Sequence, residues 1–219
     1  MSKLVTFIRG GEGLDQATFA DIWRDRYFAE LLAAPGARDH LERAVHNHVL
    51  PIEVRPDAPA TASWWSGIGT YAFDSLESAR SVMDELDPAR VVDRFGGLVA
   101  EVSHLLCNEV FIFDKGVDAA PLKMFAFFKR IPSLTRAQAL KHYEVDHAAI
   151  ANNKHNPIVK YLQNHVVEGY TNPDARYAYD GGPESWFRSL EEAKAMFDHP
   201  KSMELALSLI HISEPTRPY

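Results

Sequence analysis

The sequence has little cysteine, no cluster of basic residues and no long apolar run, and each lack excludes a class of protein. Its single cysteine, Cys107, lies in an apolar stretch and cannot form an internal disulfide, so we expect a buried structural thiol. A formal charge of −7 without a block of Lys and Arg argues against nucleic acid and anionic membranes as partners. No run approaches the ~20 apolar residues of a membrane span, and a strand begins too early for a signal peptide. We therefore expect a cytoplasmic protein.

What the sequence does contain is an internal repeat. Residues 3–9 return as residues 123–129, and Tyr27 returns as His147, in both cases 120 positions later. Residues 46–49 return as 163–166 at an offset of 117, and residues 73–77 return as 187–191 at an offset of 114. Two copies of one supersecondary unit predict a pseudo-symmetric fold.

Each copy reads as strand, helix, strand, strand, helix, strand. The predicted strands are 3–9, about 42–50, 64–73 and 104–113 in the first copy, and 122–130, about 159–168 and 177–187 in the second. The first helices begin behind Asp15 and Thr135, where Thr135 forms a capping box with Gln138. The second helices begin at Ser75 and Ser189, where Ser189 is predicted to form a capping box with Glu192. This order is that of the ferredoxin-like unit, an antiparallel sheet with helices on one face.

The repeat predicts an α+β protein of three segments: a first ferredoxin-like unit at 1–115, a second at 122–206, and a tail at 207–219. Two such units can bury their apolar sheet faces against one another, which predicts an intrachain pseudo-dimer that still allows a further homodimer. The tail reads as the translation of a sequencing-library adapter, so we expect it to be non-native. The second copy would then be truncated before its last strand.

A set of aromatic, histidine and charged residues runs through the second copy. It comprises Phe127-Phe128-Lys129-Arg130, Leu134-Thr135-Arg136, His142-Tyr143, Asp146-His147-Ala148, Tyr161, Gln163-Asn164-His165-Val166, Tyr179-Asp180-Gly181, Glu184-Ser185-Trp186-Phe187 and Ser189-Leu190-Glu191. This pattern resembles the EthD family of the dimeric α/β-barrel superfamily over 122–205 and, more weakly, over 3–113. The resemblance implies an oxidoreductase-type protein of the kind associated with ether degradation and aromatic polyketide tailoring. In the first copy, Tyr27 stands where the resemblance places the helix histidine.

Three residues of the second copy are the candidate catalytic groups. His147 shares with Tyr143 an apolar helical stripe that should face the sheet, where partial burial favours a neutral imidazole. The alternative for His147 is that of a structural core histidine. The resemblance instead implies that His147 lies in a pocket between the helix and the sheet. His165 alternates with Gln163 along one face of its strand, whereas Asn164 points to the other. If the strand face that carries Gln163 and His165 meets the helix, His147 and His165 share a pocket.

Aromatic side chains near the third strands suggest a flat, largely apolar ligand. The candidate substrate-binding residues are Gln163, Asn164, Trp186, Tyr179, His48 and Trp65. Metal binding by His46 and His48 is an alternative, but no third ligand stands at a telling spacing, so we expect neither a metal nor another bound cofactor. Asp180 is read as a turn residue rather than an acid.

Two classes of function fit these residues. The first is a cofactor-independent enzyme acting on a small hydrophobic or aromatic molecule, with His147 as general acid or base and with Tyr143 and His165 orienting the substrate. Oxygenation, isomerisation and cyclisation all begin with such a proton transfer, so the reaction type stays open. The second is a non-catalytic accessory protein that binds a hydrophobic metabolite for an oxygenase.

Overall fold

The structure is a computed structural model that describes residues 1–50, 65–170 and 178–198 of the 219-residue chain. These residues form an α+β fold in two units. In the described ranges, the first unit holds residues 1–50, 65–108 and 167–170, and the second holds 109–166 and 178–198. The prediction for the 207–219 tail lies outside the described residues, as do the predicted strand residues Trp64 and Tyr177.

The sheet of the first unit is antiparallel around a central strand. Its strands are β1 (Ser2–Gly10), β2 (Leu41–His48), β3 (Gly67–Phe73) and the first part of β4 (Val99–Asp114), in the order β2-β3-β1-β4. The register sets Thr6 of β1 opposite Gly69 on one side and His104 on the other. Cys107 on β4 is a buried thiol, as predicted.

Two helices of the first unit begin where the sequence predicts, behind Asp15 and at Ser75. The helices of this unit are α1 (Gln16–Asp21), a π-helical segment (Ile22–Tyr27), α2 (Phe28–Ala33), α3 (Ala37–His40), α4 (Leu76–Glu85) and α5 (Pro88–Phe95). Asp15 accepts a hydrogen bond from the backbone N–H of Thr18, and Ser75 caps α4 in the same way. Helix α5 was not predicted, although Pro88 at its start and left-handed Gly96 at its end are standard helix signals.

The second unit has a shorter sheet. Strand β7 (Gly181–Phe187) lies between β6 (Lys160–Val166) and β5 (Leu122–Phe125) and is antiparallel to both, and the last residues of β4 lie beside β6. Its helices are α6 (Arg136–His142), a second π-helical segment (Tyr143–His147), α7 (Ala148–Ala151) and α8 (Leu190–Asp198).

The prediction of one strand over 122–130 was too long. Strand β5 ends at Phe125, and pairing resumes only at Phe128, which bridges to Gly181. At this interruption the ring of Phe127 lies over Gly182, where an added Cβ would be 2.6 Å from the ring.

The capping predictions in the second unit hold, with one difference of detail. Thr135 and Gln138 form the predicted reciprocal capping box. Ser189 accepts the backbone N–H of Glu192 at 3.2 Å, but the carboxylate of Glu192 accepts from the backbone of Arg188, one residue earlier than a capping box requires. None of the helices in the described residues is long and apolar enough to cross a membrane.

Candidate functional site

The helix that carries the candidate catalytic residues changes its winding where they occur. Helix α6 gives way to a π-helical segment that begins at Tyr143 and ends at His147, and both side chains are buried. The centroids of their rings lie 5.4 Å apart. Single π-helical turns inside α-helices are rare and frequent at functional sites. The segment therefore marks this part of the second unit as a candidate site.

Strand β6 brings a second histidine to the same tyrosine. The ring of His165 lies 5.5 Å from that of Tyr143, and the ring of Tyr161 lies 6.1 Å from that of His147. Gln163 stands between the two strand residues in sequence and is fully buried. The structure thus brings together His147, His165, Tyr143 and Gln163, as the alternation along the strand predicted.

Gln163 determines which nitrogen of His165 carries the proton. Its amide Nε2 donates to the backbone carbonyl of Tyr143 at 2.7 Å, which turns its Oε1 toward Nε2 of His165 at 3.0 Å. An amide oxygen can only accept, so Nε2 of His165 must donate. The neutral imidazole then carries its lone pair on Nδ1. This arrangement makes Nδ1 the atom of His165 that can accept a proton.

The two histidines differ in how strongly their surroundings oppose a positive charge. Burial lowers the pKa of His147 to about 3, with a smaller contribution from His142. Burial also lowers the pKa of His165, but the charge of Glu144 raises it and that of Arg136 lowers it. His165 is half-buried, whereas His147 is 1% exposed. Both rings are therefore neutral at pH 7, and His165 is the more readily protonated of the two.

Tyr161 completes the buried part of the site. Burial raises the pKa of its phenol well above the usual value, while Gln163 and Tyr143 oppose the rise. Tyr161 belongs to the same strand alternation as Gln163 and His165, so the sequence pattern could have included it. The charges of Glu144 and Arg136 act on His165 through space, a role that no local pattern in the sequence indicates.

The remaining candidate residues lie elsewhere. Asn164 points to the opposite face of the second sheet, where its amide donates to the backbone oxygen of Gly182 at 3.1 Å and to the carboxylate of Glu184 at 3.3 Å. Trp186 lies on that face beneath the ammonium group of Lys123, 4.6 Å from the ring centroid. Tyr179 packs against Phe127 with ring centroids 5.5 Å apart.

The two candidate residues from the first copy belong to the first unit. The ring of His48 contacts Trp23 at 5.5 Å, and Trp65 contacts Phe7 at the same distance. Of the nine candidates, the group around Tyr143 therefore contains Gln163 and all three proposed catalytic residues. Asp180, expected to be a turn residue, lies at a bend and is also a buried ion-pair partner of Arg130.

The matching region of the first unit is filled by aromatic rings. Trp23 stacks on His46 with centroids 4.7 Å apart and donates from its indole N–H to the hydroxyl of Tyr71 at 3.1 Å. Burial lowers the pKa of His46 to about 4, with a smaller contribution from His48. Within the described residues, no group of three or more His, Cys, Asp or Glu side chains has a geometry that could hold a metal ion.

Comparison with known proteins identifies the fold but no close relative. No protein-family profile matches the sequence, and no curated protein matches it either. A candidate chlorite dismutase, TA0507, superposes with a TM-score of 0.53 at 11% identity, over 99% of this chain and 91% of its own. A candidate monooxygenase from Lactobacillus acidophilus NCFM gives 0.51 at 10% identity, over 97% and 89%.

A mutant chlorite dismutase from Candidatus Nitrospira defluvii gives a TM-score of 0.50 at 9% identity, over 96% of this chain and 83% of its own. These proteins belong to the dimeric α/β-barrel superfamily, and the chain shares their fold. At such low identity the likeness concerns the fold alone, so it carries no substrate or reaction to this chain.

Proposed function

We propose that the chain is an EthD-like enzyme in which two ferredoxin-like copies form a pseudo-dimeric α/β barrel. Its second copy would transfer a proton on a small hydroxylated aromatic molecule without a bound cofactor. One observation carries this proposal: Gln163 orients His165 so that the lone pair of Nδ1 is available beside Tyr143. The names of the structural neighbours, a monooxygenase and chlorite dismutases, are compatible with oxidative chemistry on this fold.

In this proposal His165 is the proton acceptor. A general base works best when its pKa lies near the working pH, and a pKa of about 3 makes His147 a poor base at neutral pH. His165 is partly exposed, and the charge of Glu144 opposes the lowering of its pKa that burial causes, whereas Arg136 adds to it. His147 and Tyr143 would instead act as neutral polar groups that stabilise the negative charge developing on the substrate oxygen.

The test is product formation from simple phenols in air, followed by chromatography and mass spectrometry in the presence of a chelator. We expect turnover by the wild type and a loss of about 10²- to 10⁴-fold in His165→Ala, the usual contribution of a positioned acid or base. His155→Ala removes an exposed histidine of the same unit and is the matched control. Equal turnover by His165→Ala and the control would refute the assignment.

A second candidate is a binding protein for the same kind of molecule. The observation that favours it is burial, because Tyr143, His147, Tyr161 and Gln163 are each at most 1% exposed and His165 alone of this group is partly accessible. A polar cluster this closed could position a ligand without reacting with it. Retention of a phenol by both the wild type and His165→Ala, with no product from either, would establish this function instead.

A further inference from the structure

Two side chains cross between the helix and the strand of the candidate site, one in each direction. Gln163 of β6 donates to the backbone oxygen of Tyr143 at 2.7 Å, at the start of the π-helical segment. Arg136, the first residue of α6, donates from its guanidinium group to the backbone oxygen of Val166, the last residue of β6. His165 lies between the two strand residues in sequence. It is therefore flanked along the strand by two hydrogen bonds that join the strand to the helix.

A buried carboxylate fixes the direction of the Arg136 side chain. Asp180 is 6% exposed and accepts from Nη1 of Arg136 at 3.3 Å, while Nη2 of the same guanidinium group donates to Val166. Only 18% of the Arg136 side chain is exposed. A guanidinium group presents its N–H donors in a planar fork, so two acceptors in fixed positions determine its orientation. Arg136 can therefore support the end of β6 in one arrangement.

Asp180 is itself held in place by neighbouring segments. Its carboxylate accepts the backbone N–H of Arg130 at 2.8 Å and pairs with the Arg130 guanidinium group. Its backbone N–H donates to the oxygen of Phe128 at 2.9 Å, and its backbone oxygen accepts from the N–H of Val166 at 3.0 Å. Asp180 thus joins the segment after β5, the end of β6 and the start of α6. A shift of this carboxylate would break several hydrogen bonds at once.

Arg136 also affects the charge of His165. Burial lowers the pKa of His165 most, Glu144 on the π-helical segment raises it, and the positive charge of Arg136 lowers it. Tyr143 and Gln163 contact the same ring and are neutral. Arg136 therefore favours the neutral imidazole that a proton acceptor requires.

We propose that Arg136 is a positioning residue for His165: it holds the last residue of β6 against the start of α6, so that the imidazole stays on Gln163 with its proton on Nε2. The consequence for catalysis rests on the function proposed for His165, whereas the arrangement of the ring does not. An ion pair that only stabilises the start of a helix would leave the ring of His165 unaffected. The two roles therefore differ in what happens to the imidazole when Arg136 is replaced.

Nuclear magnetic resonance of the imidazole nitrogens tests the proposal in the full chain. The signals of His165 are assigned by their absence from His165→Ala and are followed over the pH range in which histidine titrates. We expect the wild type to show one neutral tautomer, with the proton on Nε2. Arg136→Gln should show a mixture of both tautomers and a higher titration midpoint, because the support of the strand end and the repelling charge are both lost.

Arg130→Gln is the matched control, because it removes the other arginine that pairs with Asp180 and leaves the hydrogen bond from Arg136 to Val166 in place. It should lower the melting temperature without changing the tautomer or the midpoint. Arg136→Lys keeps the charge without the planar fork, so it should mix the tautomers at a nearly unchanged midpoint. A single Nε2–H tautomer in either Arg136 variant would overturn the proposal, as would mixed tautomers in Arg130→Gln.

Turnover separates this proposal from the catalytic function. In an enzyme that converts phenols, Arg136→Gln should lower kcat by about 10- to 10²-fold and change KM little, as expected when a catalytic group is misplaced. Mixed tautomers in Arg136→Gln, with no product from the wild type, would leave the positioning role standing and remove the catalytic function of His165. Turnover that is lost in His165→Ala and unchanged in Arg136→Gln would support the catalytic function and overturn the positioning role.

Discussion

The first and second units place different side chains on helices of the same kind. In each unit the helix behind the first strand contains a π-helical segment, which ends at Tyr27 in one unit and at His147 in the other, 120 positions later. Tyr27 is fully buried, which raises the pKa of its phenol, and Thr6 opposes that rise. His147 is equally buried but contacts Tyr143.

The two helices differ in the side chains that they pack against. In the first unit, Trp23 lies so close to the sheet that a Cβ on Gly67 would be 1.9 Å from its ring, and its indole is bonded to Tyr71. In the second unit the corresponding helix residue is the smaller Tyr143, and a polar group of Gln163 and His165 stands opposite it. The first unit uses its space for interlocked rings, and the second keeps hydrogen-bonding groups there.

Exchanging Tyr27 and His147 between the two helices is the most direct test of this difference between the units. His147→Tyr should lower turnover of a phenol by about 10²-fold, because the longer side chain places its hydroxyl away from the position at which the imidazole would stabilise the developing charge. Tyr27→His should leave turnover unchanged and lower the melting temperature, since it removes a fully buried phenol. Steady-state kinetics measures the rate of each variant, and thermal unfolding measures its melting temperature. Equal rate losses in the two would mean that both units take part in the chemistry.

Glycine substitutions test how tightly the two units are packed around Gly67 and Gly181. In Gly67→Ala the new methyl group meets the buried, hydrogen-bonded ring of Trp23, so we expect the free energy of unfolding to fall by about 3 kcal/mol. In Gly181→Ala the nearest atoms are the backbone oxygen of Asn164 at 2.9 Å and the ring of Phe128 at 3.2 Å, and we expect a loss of about 1–2 kcal/mol. Urea unfolding measures both, and a reversed order would contradict the packing described here.

Acid should destabilise both units through their buried histidines. In the first unit, His104 accepts from Thr6 and donates to the backbone oxygen of Leu86, each at 2.9 Å, and its pKa is about 4 because burial opposes its charge. His147 has a pKa of about 3 in the second unit. Both values lie below the usual ~6.5, so protons bind preferentially to the unfolded chain.

The stability that the two histidines contribute is therefore complete above about pH 6.5 and is lost as the pH falls toward 4. Each should add a slope of about 1.4 kcal/mol per pH unit to the free energy of unfolding in that window. His104→Gln should remove about half of the combined slope, and His155→Gln, an exposed control, should remove none. An unchanged slope in His104→Gln would show that the ring is protonated in the folded protein.

Local signals in the sequence were enough to predict the helix starts and one face of strand β6. The N-caps at Asp15 and Thr135 depend on the residues within the next turn, and the alternation of Gln163 and His165 follows from the period of a strand. The π-helical segments were not predicted, because the apolar spacing of a helix with one widened turn resembles that of a regular helix.

The composition of the site could be predicted only in part, since it depends on which strands pair and in which register. Trp186 was predicted to bind the substrate because aromatic residues cluster near the third strands of the sequence. The register sets Trp186 opposite Lys160 and Ser185 opposite Tyr161, which turns Trp186 to the other face of the sheet. Likewise, nothing local relates Arg130 to Asp180, which lie 50 positions apart and form one ion pair.

The smallest expected effect concerns the charge that faces the proposed base. Glu144 is exposed and raises the pKa of His165, so Glu144→Gln should lower that pKa further below its usual value. Because the base is active when neutral, the acidic limb of the pH–rate profile should move to lower pH, with an unchanged rate at pH 8. Asp146→Asn, which alters an exposed carboxylate two residues away that pairs with His142, should leave the limb in place. A limb that stays fixed in Glu144→Gln would mean that His165 is not the group whose ionisation controls the rate.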